Sequence, residues 1–400
     1  MILVSMITTA HRFLAYLLIL SLDRTLDYNE PSKENVGKLR KQINQYMQFA
    51  NKAKDNIPMD RFKEIYAIDL ALKSQEQRIA EKADPEYTKA QTFYDAKEYE
   101  QAINLFKKLG DKGSAAANTM MGHIYFRGDG VAKDYKEAYN YYQKAGEKGN
   151  GKALFWIGNM YYYGDGIPQS YSDALKWYTR SAEKGNDDAM NNIGDLYRKG
   201  LGVAQNDTEA SNWYTKAAER GNAMAMSRIG SNYYDTKSYT EALKWYTRSA
   251  EKGYDFAMIH IGFLFEYGNG VTQSYPEAQK WYTKAAEKGI EYGNIKIGNL
   301  YKKGGYGLTQ NYNEAFNWYV KAAEKGRPEA MYEIGNLYFE GNGIAQSYTD
   351  ALEWYNKAAE KDNPDAMKKL AEIYQKGVKG IKRDKKLAED WNNKYNAAKK

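Results

Sequence analysis

From residue 85 onward, apolar and small residues recur at offsets that a helix places on one face. In the stretch from Ala153 to Asp188, Ala153, Ile157, Gly158 and Tyr161 stand at offsets 0, 4, 5 and 8, which one helical face accommodates. Gly158 adds no side chain to that face, so a second helix can approach closely. Gly164-Asp165-Gly166-Ile167 follows; paired glycines admit positive φ, end the first helix and turn the chain. Ala174, Trp177, Tyr178, Ser181 and Ala182 then form a second stripe at offsets 0, 3, 4, 7 and 8, again the spacing of an amphipathic helix. Gly185 sits where a glycine beyond the last turn would stop it. The pattern predicts helix, glycine turn, helix, glycine stop.

The unit recurs. Its first-helix frame restarts at Ala117, Ala153, Ala189, Ala225, Ala257, Gly293, Ala330 and Ala366. Its second helix is marked by Trp177, Trp213, Trp245, Trp281, Trp318, Trp354 and Trp391, at spacings of 36, 32, 36, 37, 36 and 37 residues. A period of this size is the signature of stacked repeats, each burying its apolar faces against its neighbours. The unit from Ala225 lacks the Gly-x-Gly turn and runs from Tyr234 through Asp235 to Tyr239. It nevertheless copies residues 174–185 identically at 242–253. A degenerate unit with Ala90, Phe93, Ala102, Leu105 and Phe106 precedes the array, with Leu105 in the Trp position. The last unit has Ala371 in place of the first-helix glycine. The expected fold is all-α: an α-solenoid of about nine helix-turn-helix units, 32–37 residues each, over residues 85–400.

Two segments precede the array. Over 32–83, Val36, Leu39, Ile43 and Met47, then Phe62, Ile65, Ile68 and Leu72, fall at helical spacing around Pro58; this predicts a polar helical hairpin, coiled-coil-like in pattern. Residues 1–22 carry no charge apart from Arg12, and Phe13 to Leu22 is a nearly unbroken apolar run of ten. That length is short for a membrane span and suits the core of a signal peptide, although no small-x-small triplet precedes Asp23. An exported or membrane-associated protein is the expectation. The alternative is a cytoplasmic one whose apolar N-terminal helix caps the array.

Composition narrows the chemistry. The net charge of +7 over 400 residues is mild and its charges interleave, as on a solvated helical surface rather than in a nucleic-acid groove. No cysteine is present, which excludes disulfides, thiol nucleophiles and Cys-ligated metals. The three histidines are scattered, and no nucleotide-binding or metal-binding motif appears. No cofactor is expected.

The Ala189 to Gly221 unit, with Ile193, Gly194, Tyr197, Gly200, Gly202, Val203, Ala210, Trp213, Tyr214, Lys216, Ala217, Ala218 and Glu219, resembles the Sel-1-like repeat family, relatives of the tetratricopeptide repeats. The resemblance covers roughly three quarters of the chain. It implies a right-handed α-solenoid that scaffolds protein complexes without catalysis. A cysteine-rich bacterial branch of the family is associated with β-lactam binding; an envelope hydrolase or β-lactam-binding protein of that kind is the alternative reading. Without cysteine, that branch's stabilisation does not carry over.

The Trp-Tyr pairs fall on the second-helix stripe in nearly every unit and are expected in the core. Partner binding, by resemblance, belongs to first-helix positions outside the framework: Phe155, Asn159, Tyr162 and Tyr163; Ser227, Ser231 and Tyr234; Ile259, Phe263 and Tyr267; then Asn299, Lys302, Lys303, Tyr332, Asn336 and Phe339. A recurring Asn can pair with donor and acceptor of a peptide backbone, and the aromatics offer rigid contact area. A protein or peptide is therefore the expected partner. Ser181-Ala-Glu-Lys184 and Ser249-Ala-Glu-Lys252 match a serine-nucleophile motif, but Ser here replaces a small framework residue. Gly164-Asp165-Gly166 and Gly128-Asp129-Gly130 lack the further acidic ligands of a calcium loop and are read as turns.

Overall fold

The computed structural model describes residues 84–398, together with Arg40, Lys41, Ile43 and Asn44, which are helical. The expectations for 1–22, and for 32–83 apart from those four residues, lie outside the described residues.

Among the described residues the regular structure is eighteen helices in nine hairpins. They are α1 Pro85–Asp95 and α2 Tyr99–Asp111; α3 Ala115–Arg127 and α4 Tyr135–Glu147; α5 Gly151–Tyr163 and α6 Tyr171–Glu183; α7 Asp187–Lys199 and α8 Asp207–Glu219; α9 Ala223–Asp235 and α10 Tyr239–Glu251; α11 Phe256–Tyr267 and α12 Tyr275–Glu287; α13 Tyr292–Lys303 and α14 Tyr312–Glu324; α15 Pro328–Glu340 and α16 Tyr348–Ala359; α17 Pro364–Lys376 and α18 Lys385–Ala398. Two compact units divide the chain, Met1–Met226 and Ser227–Lys400. Within each, second helices pack on the first helix of the next hairpin, as α4 on α5 and α14 on α15. This is the all-α solenoid of repeats that the periodicity predicts.

The punctuation follows the sequence. Asn150, Asn186 and Asn363 cap first helices by accepting the backbone N–H three residues on, and Ser170, Asn206 and Ser347 do so for second helices. Each satisfies a donor that the first turn leaves open. Gly164 ends α5 at φ 78°, a left-handed value that a side chain would strain. The short hairpin makes its turn through Lys237 at φ 58° instead.

The core departs from the expectation in one respect. Tyr178, Tyr214, Tyr319 and Tyr355 are fully buried, whereas every Trp of the series is only partly so. Each Trp is roofed by the cation three residues on: Arg180 lies 4.3 Å from the Trp177 ring centre, Lys216 4.3 Å from Trp213 and Lys321 3.7 Å from Trp318. One helical turn brings that cation over the ring. The tyrosine goes deeper because a glycine faces it. A Cβ at Gly158, Gly194, Gly298 or Gly335 would stand less than 3 Å from the ring of Tyr178, Tyr214, Tyr319 or Tyr355. The first-helix glycine is thus the floor on which the second-helix tyrosine lies.

Candidate functional site

A buried tyrosine carries its hydroxyl into the core, and that hydroxyl needs a partner. The first helix supplies one, six residues after its framework small residue. Tyr178 donates to Asn159 Oδ1 at 2.7 Å, Tyr319 to Asn299 Oδ1 at 2.7 Å and Tyr355 to Asn336 Oδ1 at 2.8 Å. In other units the same column holds Asp195, which accepts from Tyr214 at 2.6 Å, Ser231, 3.2 Å from Tyr246, and His123, whose Nδ1 is 2.7 Å from the Tyr142 hydroxyl. The recurring Asn thus has a framework role beside the groove role expected of it: its carbonyl accepts from the tyrosine of the adjoining helix, which takes one of its two lone pairs. Asn336 Nδ2 is also engaged, donating to Glu333 at 3.2 Å.

Among the units that bury a tyrosine, the column breaks at Phe263 in α11. Tyr282 there donates instead to Glu266 Oε2 at 2.6 Å, one turn further along α11. A carboxylate buried at that depth needs a countercharge, and Lys296 of α13 provides it at 3.0 Å, with side chains only 8% and 7% exposed. The Lys296 ammonium also sits 4.7 Å from the ring centre of Phe263, 5.8 Å from Tyr282 and 6.0 Å from Tyr267. Burial, then the Glu266 charge, pushes the Tyr282 hydroxyl far above its ordinary range; it stays protonated and donating.

Beside this cluster lies a cavity of about 440 Å³. Its walls are Ser231, Tyr234 and Asp235 of α9, Tyr246 of α10, His260, Phe263 and Tyr267 of α11, and Tyr292 and Lys296 of α13. His260 stacks on Tyr246, centroids 4.8 Å apart and planes at 11°. Burial, reinforced by the Arg228 charge, holds its pKa below the usual imidazole value, which keeps it neutral near pH 7. Tyr267 and Tyr292 stand at the mouth, 52% and 37% exposed.

The groove residues expected from the sequence therefore divide. Tyr234, Phe263 and Tyr267 meet in this cavity, with Ser231. Tyr162 and Tyr163 form a T-shaped pair elsewhere, at 4.8 Å, with Tyr163 67% exposed. Phe155 lies against Tyr178, Tyr332 against Tyr355 and Phe339 against Tyr348, which makes them partly framework. Lys302 pairs with Glu333 at 2.8 Å. Ser227 and Ile259 are buried and present nothing to a groove. Asp235, His260, Tyr292 and Lys296 were not singled out by sequence; the one departure that marks this unit in the sequence is Phe263, where other units place a polar residue.

Ser181, the first residue of the nucleophile-like motif, is fully buried and donates to the Gly151 carbonyl at 2.7 Å. Among the described residues no acidic or His cluster could hold a metal ion, and no helix is long and apolar enough to cross a membrane.

The family model of the Sel1 repeat matches residues 115–150, 151–186, 187–222, 223–254, 255–290, 292–326, 328–363 and 364–391. The chain belongs to the Sel1 repeat family. It is similar to c5321, a protective antigen of uropathogenic Escherichia coli strains, at 31% identity and a TM-score of 0.59, covering 74% of this chain and 64% of that one. The chain thus spans less than two thirds of c5321. It is also similar to a Sel1 repeat protein from Oxalobacter formigenes, at 29% identity over 70% of this chain and 96% of that one, with a TM-score of 0.49. No curated protein matches it.

Proposed function

We propose that this protein is a non-catalytic interaction scaffold that holds a protein or peptide partner on the first-helix face of its repeats. The observation that carries this reading is the aromatic cavity of α9 to α13. Apart from the framework Tyr246, its walls fall at repeat positions that vary from unit to unit, and Tyr267 and Tyr292 expose ring surface that the framework does not require. Rigid aromatic surface beside a cavity is what interface hot spots are made of, and a preformed wall limits the ordering cost of binding. The hydrolase reading draws no support from Ser181, which is buried and committed to a backbone carbonyl. The apolar run Phe13–Leu22 supports export or anchoring as the setting.

The test is capture from the source cell by the full chain, wild type against Tyr267→Ala/Tyr292→Ala. The expected outcome is an unchanged melting curve and loss of a partner that the wild type retains. Equal capture by both proteins would refute this placement of the site.

A further inference from the structure

Every ionised group at the cavity wall except one is already matched. Lys296 is cancelled by Glu266 at 3.0 Å. Arg228, which influences His260, is not a wall residue. Lys303, beyond Tyr267, lies over the Tyr275 ring at 5.6 Å. Asp235, by contrast, is an exposed carboxylate at the end of α9 with no ion pair or side-chain hydrogen bond among the described residues. Tyr234, Tyr267 and Tyr292 line the same cavity, rings whose faces attract cations.

The chain itself shows what this combination selects. Deeper in, a carboxylate (Glu266) and the rings of Phe263 and Tyr282 hold the Lys296 ammonium, with Tyr267 of the mouth 6.0 Å from it. The mouth repeats that composition with Asp235 and tyrosines. Building on the scaffold reading above, we infer that the cavity receives a cationic side chain, an arginine, from an extended segment of the partner. The planar guanidinium can stack on a ring while forking onto the Asp235 carboxylate, which an ammonium cannot do. The cavity's 440 Å³ is roughly fifteen waters' share of liquid volume, room for one such side chain with some of its hydration.

The probe is the capped peptide acetyl-Gly-Arg-Gly-amide, followed by saturation-transfer NMR against the full chain. Its counterparts carry citrulline (the same shape without charge), phenylalanine or glutamate. The expected result is transfer to the arginine side-chain protons, binding about tenfold weaker for citrulline, and weakening with added salt. Asp235→Asn should bring the arginine peptide down to the citrulline level. As Asp235 is exposed at a helix end, that variant should melt like the wild type. Equal binding of arginine and citrulline, preference for glutamate or phenylalanine, indifference to Asp235→Asn, or no binding of any probe would each overturn the inference. Failure here leaves the scaffold reading distinguishable. If Tyr267→Ala/Tyr292→Ala still loses its captured partner while arginine is not preferred, the face stands and the cation does not.

Discussion

Replacing Gly298 by Ala pits two known effects against each other. Alanine is the better helix former, and in an unencumbered helix interior the change would stabilise by about 0.5–1 kcal/mol. Here the added Cβ would stand 2.5 Å from Tyr319 Cε1 and 2.7 Å from Cδ1, against the 3.4–4 Å of ordinary contact. The ring would have to retreat by roughly 1 Å, and it is fully buried among Ala315, Ala322, Ala330 and Ile334. Overpacking of this kind costs about 1–3 kcal/mol. The retreat also pulls the Tyr319 hydroxyl from Asn299, 2.7 Å away, at about 1 kcal/mol. The clash exceeds the propensity gain, and Gly298→Ala should destabilise by about 1–3 kcal/mol. Urea unfolding followed by circular dichroism measures the total. Hydrogen exchange in α13 and α14 localises it, which matters because repeat arrays need not unfold as one unit. The decisive comparison is a double-mutant cycle with Tyr319→Leu. With the ring gone, Gly298→Ala should become neutral or stabilising. The same ΔΔG in both backgrounds, or stabilisation of the wild type, would refute the glycine–tyrosine account.

Three further outcomes follow from the same geometry. Tyr214→Ala should cost about 3–5 kcal/mol as a core truncation, and Trp213→Ala less, because Trp213 is partly exposed beneath Lys216; paired thermal melts check the order. Glu266→Gln should destabilise by about 3–5 kcal/mol by leaving Lys296 buried without its partner, and Glu266→Gln/Lys296→Met should recover much of that; an unshifted melt for the single variant would contradict the pair's role. His123 is lowered from 6.5 to about 4, chiefly by burial and then by the Arg127 and Lys152 charges. Between those values the unfolded chain binds a proton that the folded one excludes, so stability should fall by up to about 3 kcal/mol as pH drops through that window. His123→Asn, the residue that three other units use there, should keep the Tyr142 hydrogen bond and flatten the dependence; an unchanged pH profile would reject it.

The repeat framework was legible in sequence because each of its residues is written many times over. Nine hairpins, their glycine turns and the short fifth unit all stand where periodicity puts them. Depth was not legible from the stripe alone, since adjacent Trp and Tyr both fall near it and only the facing glycine decides which is swallowed. The end of the array shows the dependence directly. Where Ala371 replaces the glycine, the residue after Trp391 is Asn392 rather than Tyr, so the two positions change together. At the other end Ala90 and Phe106 share one core cluster, and Phe needs no acceptor.

The same logic separates framework from site. The recurring Asn looked like a peptide reader because amides can bind backbones, but its recurrence has a nearer cause, the tyrosine hydroxyl on the adjoining helix. A column that repeats a hydrogen-bonding side chain in almost every unit answers a need of the fold. A column that loses it forces a local repair, as Phe263 forces Glu266 to serve Tyr282 and Lys296 to neutralise Glu266. That repair draws residues from α11, α12 and α13, which is why no single unit of sequence displays it. Two of its members, Phe263 and Lys296, line the wall of the cavity that also gathers Tyr234, His260, Tyr267 and Tyr292. In a chain built by copying, the departures from the copy are where selection for a particular partner can act without unmaking the array.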